Sequence, residues 1–202
     1  MHVLVYFVEP GDGPLQDELE HLQAIRERRN RVLAERLDLD YGELVAEAGG
    51  RGVGRPHAAA LLVRAGRASS IQDAFDRFLA RGRPGYVDKE RLAPEAAFGL
   101  ARASGGVAVL AHPLSLALAP AELDRAVGEW AALGLGGIEA VYGRYPPEDR
   151  AGLSELARRH GLAVSGGSDH HGTYKPDLSV GVGRGDLDVP DDLLGRLRDR
   201  RP

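Results

Sequence analysis

The alternation of apolar and polar positions changes rhythm once along the chain, near residue 94. Ahead of that point, residues 2–8 form a β-branched and aromatic run closed by Glu9-Pro10-Gly11, which predicts a strand and a turn. From Pro14 to about Leu37, the residues Leu15, Leu19, Leu22, Ile25, Val32 and Leu33 keep helical spacing, and Asp17, Glu18 and Glu20 suit the dipole at the helix start. A shorter helix follows over 41–48, ended by Gly49-Gly50. Pro56 suits the first position of another helix, with the apolar stripe Ala60 to Val63 behind it. Residues 70–79 predict one more, with Ile71, Ala74, Phe75 and Phe78 on one side, before an extended loop over 81–87.

After Pro94 the pattern becomes helix and strand in turn. Helices are expected over 94–103, 123–133, 147–160 and 191–198, with short apolar strands at 107–111, 138–141 and 163–165. Alternation at this spacing argues for a parallel sheet with right-handed crossovers. The expected class is therefore α/β. Glu139 falls inside a strand and reads as structural, while His21 and His160 fall on helices and read as surface histidines.

Composition narrows the chemistry. At 202 residues and 43% hydrophobic, the chain can support a core as one domain or one domain with an insert. Its net charge of −4 gives no overall footprint for nucleic acid. Arg26, Arg28, Arg29 and Arg31 nevertheless crowd one helix, either as a solvated face or as a binding surface. There is no cysteine, which removes disulfides and thiolate metal sites and leaves only histidine and carboxylate as metal ligands. No signal peptide opens the chain and its apolar runs are too short to span a bilayer, so the expectation is a cytoplasmic protein with no membrane partner. Nothing in the sequence sets the oligomeric state.

Two segments carry candidate chemistry. Ala163 to Gly172 reads as a strand running through a glycine turn into Asp169, His170 and His171. Gly105 to Pro113 is again a strand, ending in His112, which the following proline keeps out of the helical region. Strand ends in α/β folds collect ligands and catalytic groups, so two such ends suggest one metal site. The bland alternative is an N-cap aspartate beside two exposed histidines. Arg55 and His57 flank a predicted helix start, which is a natural anion site or a cap with incidental charge.

These residues carry a family likeness. From residue 1 to about 185 the chain resembles the PHP (polymerase and histidinol phosphatase) metallo-phosphoesterases. The likeness is nearest to the branch acting on nucleoside monophosphates, 3′,5′-nucleotide bisphosphates and short RNA 5′ ends. It rests on His2-Val3-Leu4, the Gly-Arg-Pro-His of residues 54–57, Tyr86-Val87 with Lys89, Leu110-Ala111-His112-Pro113, Gly137-Ile138-Glu139, Gly167-Ser168-Asp169 with His171, and Lys175-Pro176. The resemblance implies part of a distorted seven-stranded β/α barrel, formed by residues 1–13 and 91–202, with 14–90 as an inserted helical subdomain. It puts His2, His112, Asp169 and His171 at metal-ligand positions, converging at one end of the sheet, and gives His170 no ligand role. Arg55, His57 and Lys175 would meet a substrate phosphate, and His57 or His171 would assist proton transfer. The implied cofactor is a divalent metal, manganese first, with iron and zinc also compatible; the implied substrate is a nucleotide or short oligonucleotide.

One departure qualifies this. The family's earlier His-x-His pair with its nearby Asp, the Thr-Asp-His segment and the following Glu have no counterpart here. On the resemblance the chain begins inside the site, keeps fewer than half of the ligands and hydrolyses phosphate esters poorly or not at all. A second reading is a non-catalytic module binding phosphate or nucleic acid through Arg26, Arg29, Arg55 and His57. A third is a metal-dependent barrel hydrolase acting on amides, which would not need the Gly-Arg-Pro-His segment.

Overall fold

The computed structural model describes residues 1–9, 11–50, 52–171 and 177–202. They form two compact units, one of residues 1–16 and 92–202 and the other of residues 17–91.

The first unit is built on a four-stranded sheet in the order β1 (Val3–Tyr6), β2 (Val107–Leu110), β3 (Gly137–Tyr142) and β4 (Ala163–Gly167). β2, β3 and β4 are parallel, and every residue of β2 is buried, as a strand covered on both faces requires. The helices between them are α5 (Pro94–Ala103), α6 (Pro120–Ala132) and α7 (Pro147–Arg159), with α8 (Asp192–Arg198) closing the chain. Each of α5, α6 and α7 begins on a proline, whose fixed φ and missing N–H suit a helix start. Phe98, Val127, Leu153 and Leu156 of these helices bury against Leu110 and Ile138 of the sheet. Val107, Val109, Ala163 and Leu197 form a smaller cluster with Tyr6 and Phe7 packed on it.

One expectation needs correction. The sheet is mixed: β1 runs antiparallel to β2, pairing Val3 with Leu110 and Tyr6 with Val107. The chain between these two strands passes through all of residues 17–91 and α5, so no single βαβ crossover links them. Among the described residues the strands number four, with β1 and β4 at the edges.

In the second unit, α1 (Pro14–Arg36, from Asp17 onward), α2 (Tyr41–Glu47), α3 (Arg55–Arg64) and α4 (Ile71–Ala74) bury Leu33, Leu37, Leu44, Leu61, Leu62 and Leu79 among one another. Asp40 caps α2, its carboxylate accepting from Glu43 N–H at 2.8 Å, and Ser70 caps α4 by accepting from Asp73 N–H at 3.1 Å. α4 runs straight into a π-helical turn, Phe75–Leu79, in place of the regular helix expected. Ile71, at the first position of α4, is 47% exposed while Ala74 is fully buried.

Candidate functional site

The parallel strands present their C-terminal ends on one side of the sheet, and because β1 is antiparallel its N-terminus lies at that same end. His2 is thereby brought beside β2: its carbonyl accepts from Ala111 N–H at 3.1 Å. The imidazoles of His2 and His112 meet there, with His2 Nδ1 and His112 Nε2 3.2 Å apart and the rings edge-on at 78°. His112 takes a left-handed backbone, φ 30°, which turns its side chain off the strand as Pro113 opens a 3₁₀ turn over Pro113–Leu116. It is fixed further by its own N–H donating to Glu139 Oε2 at 2.8 Å and by Nδ1 lying 2.8 Å from Ser115 Oγ. Glu139 is 5% exposed, and its structural role is now concrete: it holds the backbone of His112.

Asp169 leaves the end of β4, also in the left-handed region at φ 52°. Left-handed backbone at non-glycine residues is uncommon and clusters at functional sites. The hydroxyl of Tyr142, at the end of β3, donates to Asp169 Oδ2 at 2.9 Å, and the Tyr142 ring lies 5.6 Å from that of His112. The site thus runs from His2 through His112 and Tyr142 to Asp169. His171 folds back on Asp169, its Nδ1 2.7 Å from the Asp169 carbonyl oxygen and 3.3 Å from Oδ1. His170 points its Nδ1 to the Leu178 carbonyl oxygen at 2.6 Å.

Burial and the adjacent Asp169 charge push the Tyr142 phenol far above its ordinary value. The neighbouring Tyr145 is pushed up to about 12, chiefly by burial. Both phenols are protonated at any physiological pH. Tyr142 escapes sequence reading because an aromatic near a strand end is ordinarily core, and its partner lies 27 residues away.

The donor chemistry of this set suits a divalent ion. Two nitrogens bound to one metal at about 2.0–2.1 Å stand roughly 3.0–3.4 Å apart, and the His2–His112 separation falls in that range. Among the described residues, however, no three histidine or carboxylate side chains are gathered closely enough to hold an ion. The pair fits a metal; among the described residues a full set is not assembled.

The second unit carries a basic cluster of its own. Arg55 opens α3, donates from Nη1 to the Leu79 carbonyl at 3.2 Å and lies over the rings of Phe75 and Tyr86. His57 caps α3, its Nδ1 accepting from Gly54 N–H at 3.1 Å. Asn30, 1% exposed, ties α1 to this region by donating to the Val53 carbonyl at 2.8 Å. Partial burial, with Arg26 and Arg55 nearby, lowers the affinity of Arg29 for its proton. Partial burial and Arg29, Arg26, Arg55 and Arg91 do the same to Lys89. Lys89 was given no role by the sequence, and Lys175 lies outside the described residues.

His160 is not the plain surface histidine expected. It ends α7, packs against Gly128 of α6 and places Nε2 2.5 Å from Asp124 Oδ1. The fold brings two helices together here, which the spacing within either one does not show.

No family model matches the chain. It is 34% identical over 177 residues to the 5′-3′ exoribonuclease Rnm of Salmonella typhimurium, a match covering 85% of this chain and 60% of the relative. Against Rnm of Escherichia coli it is 38% identical over 162 residues, covering 75% and 55%. The 3′,5′-nucleoside bisphosphate phosphatase of Chromobacterium violaceum is 33% identical over 129 residues, covering 64% and 45%. The likeness is to PHP-like phosphoesterases. The chain spans about half of the length of these curated relatives. Among solved structures, a protein provisionally described as a metal-dependent phosphoesterase from Bifidobacterium adolescentis superposes with a TM-score of 0.74 at 29% identity, over all of this chain and 71% of that one. A Chromobacterium violaceum structure described as an amidohydrolase, with bound sulfate and no metal, gives 0.71 at 27% identity, over 96% and 69%. These relatives and neighbours are named as hydrolases, and those named for a substrate act on RNA or nucleotides.

Proposed function

We propose that the protein hydrolyses phosphate esters of nucleotides at the C-terminal end of its sheet, its substrate being a nucleoside monophosphate, a 3′,5′-bisphosphate or a short RNA 5′ end. The observation that carries this reading is the meeting of His2 and His112 at metal-sharing distance, with Tyr142 linking the His112 ring to Asp169. His2, His112, Asp169 and His171 would hold a divalent metal, with manganese ahead of iron or zinc. Such an ion, when bound, engages phosphate oxygens, acidifies a bound water and stabilises the charge that develops.

The chain's own residues supply the rest. Tyr142 donates to one oxygen of Asp169, and Glu139 holds the His112 backbone, so both ligands face the sheet end in defined orientations. His171 or His57 would carry a proton to or from the reacting group. Arg55, His57 and Lys175 would bind substrate phosphate through charge-assisted hydrogen bonds. A cytoplasmic location belongs to the same proposal; no helix among the described residues is long and apolar enough to cross a membrane.

A second reading, a module that binds nucleic acid or phosphate without turnover, is favoured by the clustering of Arg26, Arg29, Arg55 and Lys89. One experiment separates the two. The purified chain, loaded with manganese, is assayed for turnover of a nucleoside monophosphate, a 3′,5′-bisphosphate and a 5′-phosphorylated short RNA, with His112→Ala as control. Metal-dependent turnover lost in the variant supports the phosphoesterase. Tight binding of the RNA with no turnover of any substrate supports the module and overturns the enzyme.

A further inference from the structure

The helical unit holds a cleft that the phosphoesterase reading does not use. It opens between α1 and α2, measures about 270 Å³ and has Arg26, Asn30, Arg31, Tyr41, Val45 and Val53 in its walls. We propose that this cleft binds one nucleotide of a single-stranded RNA, its base stacked on the Arg31–Tyr41 pair and its phosphates held by Arg26, Arg29 and Lys89; this rests on the reading of RNA as a ligand of the chain.

Three observations carry it. One wall of the cleft is a stacking platform, with the Arg31 guanidinium carbon 4.2 Å over the centre of the Tyr41 ring. Glu27 Oε1 fixes that guanidinium from the side, accepting from Arg31 Nη2 at 2.6 Å and from Nε at 3.2 Å. The same pair neutralises Glu27, which lines the cleft and would otherwise repel phosphate. Aromatic rings and guanidinium planes take any base, because every base has a π-face. The cleft also has room for one: about 150 Å³ suffices to hold benzene in a protein interior. Finally, cations crowd beside it. Arg26 lines the cleft, the charged neighbours acting on Arg29 are Arg26 and Arg55, and those acting on Lys89 are Arg29, Arg26, Arg55 and Arg91. An anion placed among these groups relieves their mutual repulsion. Arg29 is held ready for it, donating from Nη2 to Asn30 Oδ1 at 3.1 Å, while the buried Asn30 is itself anchored to the Val53 carbonyl at 2.8 Å. A basic track beside a stacking platform is how proteins hold single strands without reading their sequence.

Stacking and charge can be told apart by the probe. Binding of the full chain is measured by fluorescence anisotropy, without divalent metal, to a short single-stranded RNA of mixed sequence and to the same RNA with abasic residues. Tyr41→Leu removes the ring and keeps an apolar side chain. It should weaken binding of the intact RNA by about 5–150-fold, the range for one base stacked on an aromatic side chain, and change binding of the abasic RNA little. Arg31→Lys keeps the charge and loses the plane, so it should act in the same direction with the salt dependence of binding unchanged. Arg26→Gln removes one phosphate contact and should reduce the slope of log affinity against log salt by about 0.7 on either RNA. The Arg31 side chain is 58% exposed, so its variant decides the stacking if circular dichroism shows that Tyr41→Leu does not fold. Equal losses on intact and abasic RNA, an unchanged slope in Arg26→Gln, or no RNA binding by the unaltered chain would each overturn the inference. Phosphate release from a nucleoside monophosphate, with His112→Ala as control, tests the sheet end by itself, so failure there and failure of the cleft are read separately.

Discussion

His2 and His112 lie 110 residues apart in sequence, and their ring nitrogens stand 3.2 Å apart at the end of the sheet. That contact exists because β1 pairs antiparallel to β2, so that the first residues of one strand lie beside the last residues of the other.

If the pair shares a metal, replacing either histidine with alanine should lower manganese affinity by more than the roughly 10–100-fold typical of residues one layer further out. Combining the two changes should add little, since either one breaks the shared site. Calorimetric titration of the two single variants and the double variant reads this directly. Additive and small losses would show that the imidazoles do not act on one ion.

Glu139 is buried and accepts from the His112 backbone N–H. Glu139→Ala leaves that buried donor without its acceptor, at a cost of about 1–3 kcal/mol. Glu139→Gln keeps an oxygen in reach and should lose less. Urea denaturation of both variants checks the order; equal losses would show that the oxygen kept by Gln does not hold His112.

Arg55→Ala should weaken binding of a nucleoside monophosphate by about 1.5–3 kcal/mol, the range for a hydrogen bond to a charged group. Because Arg55 also donates to the Leu79 carbonyl, the comparison needs circular dichroism to confirm that the helical unit is intact. Unchanged affinity with the fold preserved would remove Arg55 from the phosphate-binding role.

The contact between His160 and Asp124 should give stability a dependence on acid. The hydrogen bond from His160, aided by Arg159, holds the Asp124 carboxyl below its ordinary value of 3.8. A carboxyl depressed on folding stabilises the protein above its unfolded-state value, and this stabilisation is lost as pH falls through the folded-state value. Asp124→Asn should therefore lower the melting temperature at neutral pH, and the difference from the unaltered protein should shrink below about pH 4. A constant difference from neutral pH down to strongly acid conditions would show that the carboxyl charge is not what links α6 to α7.

Much of the architecture was legible in one dimension. The apolar runs of β2, β3 and β4, punctuated by glycine and proline, announce buried strands, and the helices between them follow from apolar spacing alone. His112 and Asp169 were legible for the same reason, each standing just past the end of such a run. These features are local: a strand pattern, a breaker and a polar residue lie within about ten positions of one another, and backbone preference decides them.

The rest was decided between segments distant in sequence. The antiparallel pairing of β1 with β2 joins residues about a hundred positions apart and leaves no mark in the pattern of residues 2–8. The π-helical turn at Phe75–Leu79 replaces the regular helix that the apolar spacing predicts, and Ile71 at the start of α4 stays 47% exposed. Tyr142, Glu139 and His160 look like core or surface residues in the sequence because their hydrogen-bond partners lie 27, 27 and 36 residues away. A hydrogen bond depends on distance and direction in space, and sequence spacing encodes those only within a single helix or strand. The sequence therefore determined where the ligand-type side chains leave the sheet, and the tertiary structure alone decided which of them meet and what holds them in place.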